Sequence, residues 1–325
     1  MTAPARLDLA ETYRACREGV VAGEATCDVV RVTGPDALSY LQTQCSQDLG
    51  ELAPGGVVTS LLLTPQGHVE ALVHVACIAS DAAAVVVAAG FGDVVHARLR
   101  RFRLRVKADL EQVTWRLVRV RGPLAATPSE LAESSGALVA APVAWPGNVG
   151  VDLLGPDAVL PAGIALGDDQ AFSVVRIESG EPVMGAEIRD RTIAQEVGLV
   201  ERAVSLTKGC YPGQELVARI DARGDNVPRR LRGVVLGGLD GLDGAPPFAH
   251  GGPSGVPDTR PGAVVTVDDR PVGELTSVAW SPRLSATVAL AYIHRRVTPP
   301  GPARVETPAG APVACEIVEL PIFPG

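Results

Sequence analysis

The stretch Lys208-Gly-Cys-Tyr-Pro-Gly-Gln-Glu215 restricts the backbone of this chain more than any other eight residues in it. Gly209 and Gly213 can take positive φ, while Pro212 fixes its own φ and biases Tyr211 away from helix. Such a run reads as a tight, shaped turn that presents Cys210 on a loop. The apolar-rich run Glu215-Leu-Val-Ala-Arg-Ile220 then leaves the turn as a helix or a strand. A lone cysteine is more often a small buried hydrophobe than a working thiol. Lys208, two residues away, is a candidate for favouring the thiolate, the form that makes cysteine a nucleophile. Spacing alone leaves both readings open.

The surrounding blocks add to this. Arg176-Ile-Glu-Ser-Gly-Glu-Pro-Val-Met-Gly185 is followed by Ile193-Ala-Gln-Glu-Val-Gly-Leu199, then by the cysteine turn, then by Ala222-Arg-Gly-Asp-Asn-Val-Pro-Arg229. In that order and spacing they resemble the YgfZ family of folate-binding proteins, relatives of the aminomethyltransferase (T-protein) of the glycine-cleavage system. The resemblance implies an α+β protein with three domains in a ring around a folate channel. Two would be α+β domains with antiparallel sheets, and the third a small C-terminal β-barrel.

Three Trp, four Tyr and five Phe are all the aromatic residues among 325, so the core has to be built from Val, Leu and Ala. Hydrophobic residues at 46% against 20% charged describe an ordinary globular chain with room for two or three domains. A net charge of −8 argues against a broad nucleic-acid or anionic-membrane surface, so no direct nucleic-acid binding is expected. The six cysteines are scattered without a CxxC pair, and the five histidines supply no cluster, so no metal site is expected from this chain alone. No apolar run reaches the roughly 18 residues of a membrane span, and the N-terminus has no signal-peptide pattern. Together these readings give a cytoplasmic protein, away from membranes.

Along the chain, a short helical piece is expected around Tyr13–Glu18 and a strand at Cys27–Thr33. Gly34-Pro35-Asp36 opens a helix with Ala37, Leu38, Leu41 and Cys45 on one face. Strands follow at Val57–Leu63, Val69–Ala79 and Ala84–Ala89, with a turn at Thr64–Gly67 and a helix at Gly92–Arg101. Trp115–Arg121 alternates as a half-buried strand, a short helix lies near Glu130–Ser134, and strands lie near Leu138–Ala140 and Val149–Leu153. A helix capped by Asp168 or Asp169 carries Ala171, Val174, Val175 and Glu178 and stops at Gly180. After Arg229 short strands dominate: Leu231–Leu236, Ala263–Val267, Gly273–Ala279, Thr287–Ile293 and Ala311–Glu319, with a Gly/Pro/Asp-rich loop at Leu239–Arg260. The pattern divides into 1–118 and 119–230, both α+β, and a β-barrel at 231–325.

Arg98, Arg100, Arg101, Arg103, Arg105 and Lys107 place six cations within ten residues. A solvated helix end accounts for them, as does a site for an anion such as a polyglutamate tail or RNA.

A pterin needs a planar, mostly apolar slot, and its 2-amino group and N3–H form a donor pair that one carboxylate can accept. The resemblance puts Glu178 at the family's pterin-reading position, with Arg176, Tyr211 and Gln214 as further folate-binding residues. The expected ligand is tetrahydrofolate or a one-carbon-substituted folate. T-proteins carry a Gly-Gly-x-x-Asp-Asp block whose second aspartate serves aminomethyl transfer; here the run is Gln66-Gly-His-Val-Glu-Ala71, with Ala71 at that position. A methyl group can neither accept a proton nor orient a one-carbon unit. Strand alternation puts Glu70 on the other face, in an outward stripe with His68 and His74. The resemblance further implies a role in assembly or repair of iron–sulfur clusters, with cluster enzymes, tRNA-modifying radical enzymes among them, or cluster carriers as partners. Cys210 would act as the thiol with Lys208 beside it, and Glu215 and Arg219 would pair at i,i+4. Two alternatives stand beside it: a folate-dependent one-carbon transferase, and a non-enzymatic adaptor that holds folate structurally.

Overall fold

The structure is a computed structural model that describes residues 4–222, 224, 226–237, 259–307 and 310–323. The expected loop at Leu239–Arg260 lies, up to residue 258, outside the described residues, as do two positions of the Ala222–Arg229 block.

The chain opens with helix α1 (Leu9–Glu18), longer than the expected piece because Asp8 and Glu11 form a reciprocal cap at its start. Strand β1 (Val21–Thr33) precedes α2 (Ala37–Gln44), and β2 (Val57–Leu63), β3 (Val69–Ala79) and β4 (Ala82–Ala88) lead to α3 (Gly92–Phe102). Strand β5 (Asp109–Arg121), α4 (Pro128–Ser135), β6 (Val139–Trp145), β7 (Asn148–Gly155) and α5 (Asp169–Ser179) follow. Asp168 caps α5 through the Gln170 amide at 2.8 Å, and Gly180 closes it in the left-handed region at φ 74°. The cysteine turn lies between α6 (Val200–Ala203) and α7 (Gln214–Asp221), so the run after the turn is a helix.

The first seven strands form one antiparallel sheet in the order β2-β3-β4-β1-β5-β7-β6. β5 runs through the position that divides 1–118 from 119–230, pairing with β1 on one side and β7 on the other. The two α+β domains therefore meet within a shared strand rather than across a linker. One face of the sheet packs under α2 and α3 through Val30, Val85, Leu41 and Leu99. The sheet curls toward its other face, and residues from both edge strands, Val57 on β2 and Ala141 on β6, join one apolar cluster there.

The remaining strands, β8 (Arg229–Leu236), β9 (Val264–Val267), β10 (Arg270–Ser281), β11 (Ala286–His294), β12 (Gly301–Val305) and β13 (Val313–Val318), close a barrel in the order β10-β11-β8-β13-β12-β9. β12 was hidden in the sequence by its Gly-Pro start, a composition that normally argues against a strand. An apolar cluster of Leu61, Leu63, Ile177, Leu231, Val288 and Tyr292 ties barrel, sheet and α5 together.

Candidate ligand cavity and cysteine turn

The hollow of the curled sheet, roofed by α5 and the segment after it, holds a cavity of about 390 Å³. Its walls are apolar: Leu72, Val86, Leu117, Leu154, Phe172 and Met184. At its inner end stand polar groups on strands that otherwise read as apolar. Arg121 Nη1 lies 2.7 Å from Asp152 Oδ1, and Asn148 Nδ2 donates to Glu181 Oε2 at 2.7 Å. His74 joins them, its Nδ1 3.2 Å from Thr59 Oγ1. Both His74 and Glu181 line the cavity and are half-buried there. Burial pushes the His74 imidazole below its ordinary pKa and the Glu181 carboxyl above its own, with Arg121 opposing the latter. Thr26, Ala88, Ala89 and Ser173 line the cavity and are exposed, which marks its mouth.

A second cavity of about 760 Å³ lies between Thr64–Glu70 and the segment 184–191. Met184 lines both, and its sulfur accepts from the Leu72 amide at 3.3 Å.

Of the residues expected to hold folate, Arg176 lines the first cavity, its guanidinium donating to Glu181 O at 2.8 Å and to Ser277 Oγ on the barrel at 2.7 Å. Glu178 does not line it. Its carboxylate accepts from the Tyr13 hydroxyl at 2.9 and 3.2 Å and pairs with Arg17, both on α1. On α5 the side chain at 178 points to the neighbouring helix, so it is a buried cross-link between helices. Tyr211 is packed into the central apolar cluster, and Gln214 begins α7; neither reaches the cavity.

Lys208 also departs from expectation. Its side chain is 8% exposed, and the ammonium donates to the carbonyls of Gln42 (2.6 Å), Cys45 (2.9 Å) and Gln47 (2.9 Å). These carbonyls lie at the C-terminal end of α2, where a cation suits both the open acceptors and the helix dipole. Burial holds the Lys208 pKa below its ordinary value. The residue anchors the turn to α2 rather than serving the thiol. Glu215 and Arg219 stand exposed on α7 with no ion pair between them.

Cys210 itself is exposed, whereas the other five cysteines are buried. Burial pushes the thiols of Cys16 and Cys45 up to about 11 and those of Cys27 and Cys315 up to about 12. The turn that carries Cys210 sits on the β2–β3 turn. Gly213, at φ 83°, places its Cα against Thr64 and Gly67, residues of that turn, and Thr64 borders the second cavity.

The expected outward stripe of His68, Glu70 and His74 is broken by a β-bulge. Leu62 pairs with Ala71 and Leu63 with Val69, which leaves Glu70 unpaired and re-aimed. Its carboxylate meets Arg98 Nε at 3.2 Å. Arg98 is only 1% exposed, donates to Gln44 Oε1 (3.0 Å) and Leu63 O (3.3 Å), and lies over the Phe102 ring. The first cation of the basic run is thus a core residue. Ala71 is fully buried beneath α2 and α3.

The strands and helices that build this site match known proteins. Residues 5–132 match the GCVT N-terminal domain, and residues 251–324 match the glycine cleavage T-protein C-terminal barrel domain. The chain belongs to the T-protein-like family that includes the YgfZ proteins. An aminomethyltransferase of Thermus thermophilus is 25% identical over 90% of this chain and 84% of its own length. An uncharacterised protein of Haemophilus influenzae is 27% identical over 61% of this chain and 67% of its own. The tRNA-modifying protein YgfZ of Edwardsiella ictaluri is 41% identical over 70 residues, 21% of each chain. The crystal structure of aminomethyltransferase T from Bartonella henselae superposes with a TM-score of 0.75 over 97% of this chain and 89% of that one, at 17% identity. The T-protein fold is therefore shared. No helix among the described residues of this T-protein-like chain is long and apolar enough to cross a membrane.

His74, Asn148, Asp152 and Glu181 line the cavity without having been expected there. For His74, Asn148 and Asp152 the signal was a polar residue at an inward position of an otherwise apolar strand, which is costly unless a partner or ligand satisfies it.

Proposed function

We propose that this protein binds tetrahydrofolate, or a one-carbon-substituted folate, in the hollow of the curled sheet and supports assembly or repair of iron–sulfur clusters through Cys210. The fit to a pterin rests on the cavity: apolar walls matching a flat ring system, and at the inner end a carboxylate, an amide and a guanidinium. Bound folate would supply a one-carbon carrier, while Arg176 ties the cavity roof to the barrel. The observation that carries the role of the thiol is the exposure of Cys210 on a turn seated against the hairpin that borders the second cavity. Relatives named tRNA-modifying proteins make cluster-dependent tRNA-modifying enzymes the first clients to test.

Aminomethyl transfer is not part of this proposal. Ala71, at the position expected for the acid, lies in an apolar core, and Glu70 is occupied by Arg98.

Cys210→Ala is expected to fold normally, because the side chain is exposed, and to fail to restore activity of a cluster-dependent enzyme in a strain lacking this protein. Full restoration would instead leave the adaptor reading, in which folate serves structure and the surface docks a carrier.

A further inference from the structure

Resting on the folate reading above, we propose that Glu181, positioned by Asn148, is the carboxylate that reads the donor edge of the pterin, in place of Glu178. The 2-amino group and N3–H present two donors side by side, and the matching partner is a carboxylate with an oxygen free for each or one shared between them. Two carboxylates, Asp152 and Glu181, line the cavity, and Glu178 stands on the helix that roofs it. Glu178 is consumed by Tyr13 and Arg17 outside it. Asp152 is turned to Arg121 at 2.7 Å. Glu181 lines the cavity, takes one donor from Asn148 on Oε2, and among the described residues accepts no hydrogen bond on Oε1. It is less exposed than Ser173 and Thr26 at the mouth, so a ring entering past them could present its donor edge to it.

The groups that surround this carboxylate are Arg121 on β5, Asn148 and Asp152 on β7, Arg176 on α5 and, behind them, His74 on β3. Burial raises the Glu181 pKa in the free protein. A protonated carboxyl offers a donor where the pterin edge also offers donors. Affinity therefore falls as the pH drops through the free-state pKa, and binding releases a proton.

The test is calorimetric titration of the full-length protein with 5-formyltetrahydrofolate and with its 2-desamino analogue across pH. Glu181→Gln, which keeps the shape of the buried group, is expected to weaken the first ligand about ten- to hundredfold, the loss of a hydrogen bond to a charged group. It should weaken the 2-desamino analogue, which keeps only N3–H of the donor pair, by a smaller factor, and remove the acid limb of the affinity profile. Asn148→Ala should move that limb to higher pH, since it removes a donor that favours the ionised carboxylate. Unchanged affinity for 5-formyltetrahydrofolate in Glu181→Gln overturns the proposal while leaving the folate reading intact. Absence of any folate binding by the wild type removes both. Circular dichroism of Glu181→Gln, with Glu181→Ala as a second variant, establishes that loss of binding is not loss of fold.

Discussion

Replacing Glu187 with alanine is expected to cost the fold about 3–5 kcal/mol, the scale of breaking a buried ion pair from one side. Glu187 is fully buried and joins three parts of the molecule. One oxygen accepts from Thr276 (2.7 Å) and Ser277 (2.6 Å) on the barrel strand β10. The other accepts from Arg176 on α5 (3.1 Å) and from the Val183 amide (3.1 Å). Its removal leaves Arg176 without its charge partner and the Ser277 hydroxyl and Val183 amide unsatisfied at the junction of barrel and sheet, while Thr276 can still donate to the Leu290 carbonyl. Denaturant unfolding should report the loss as a lower midpoint. Glu187→Gln should retain part of the network by accepting from Thr276 or Ser277, so its midpoint should fall between the two. Equal stability of wild type and Glu187→Ala would mean that barrel and sheet are held by the apolar cluster alone.

The second large effect concerns Gly213. Its φ of 83° is in the region that costs an L-residue with a Cβ about 1–2 kcal/mol. A Cβ there would also sit 2.5 Å from the Thr64 carbonyl oxygen and 2.9 Å from the Gly67 Cα. Both obstacles are backbone, so relief requires the cysteine turn to lift from the hairpin. Gly213→Ala is therefore expected to lower stability by more than the backbone strain alone, and to change the rate at which a thiol reagent labels Cys210. Wild-type labelling with wild-type stability would show that the two turns are not locked together.

The fold was legible where local pattern and burial agree. β2 and β3 fall at the expected residues because Val- and Leu-rich alternation bounded by Thr64–Gly67 leaves little choice. The barrel strand with Pro302 was not, because its strand character comes from pairing with β9 and β13 and not from its own composition. The site was less legible, and the reason is direction. Sequence gives the identity of Glu178 and its place on a helix, but Tyr13 and Arg17 decide where the carboxylate goes, and they are more than 160 positions away. Lys208 likewise sits two residues from Cys210 in the chain, yet the open carbonyls of α2 are stronger partners for a buried ammonium. Glu70 shows the same limit within a strand, since one bulge cancels the alternation on which its assignment depended.

The shared strand β5 bears on how the molecule comes apart. A fragment ending at residue 118 would strip Val21, Ala22 and Gly23 on β1 of their partners on β5, and Arg116, Leu117 and Val118 of theirs on β7. Arg121, the cation that faces Asp152, lies beyond that cut, so cutting there would tear out the inner wall of the cavity as well as the sheet. Both halves of the sheet are thus expected to melt in one cooperative step, and limited proteolysis should release the barrel as a piece before it ever separates one half of the sheet from the other.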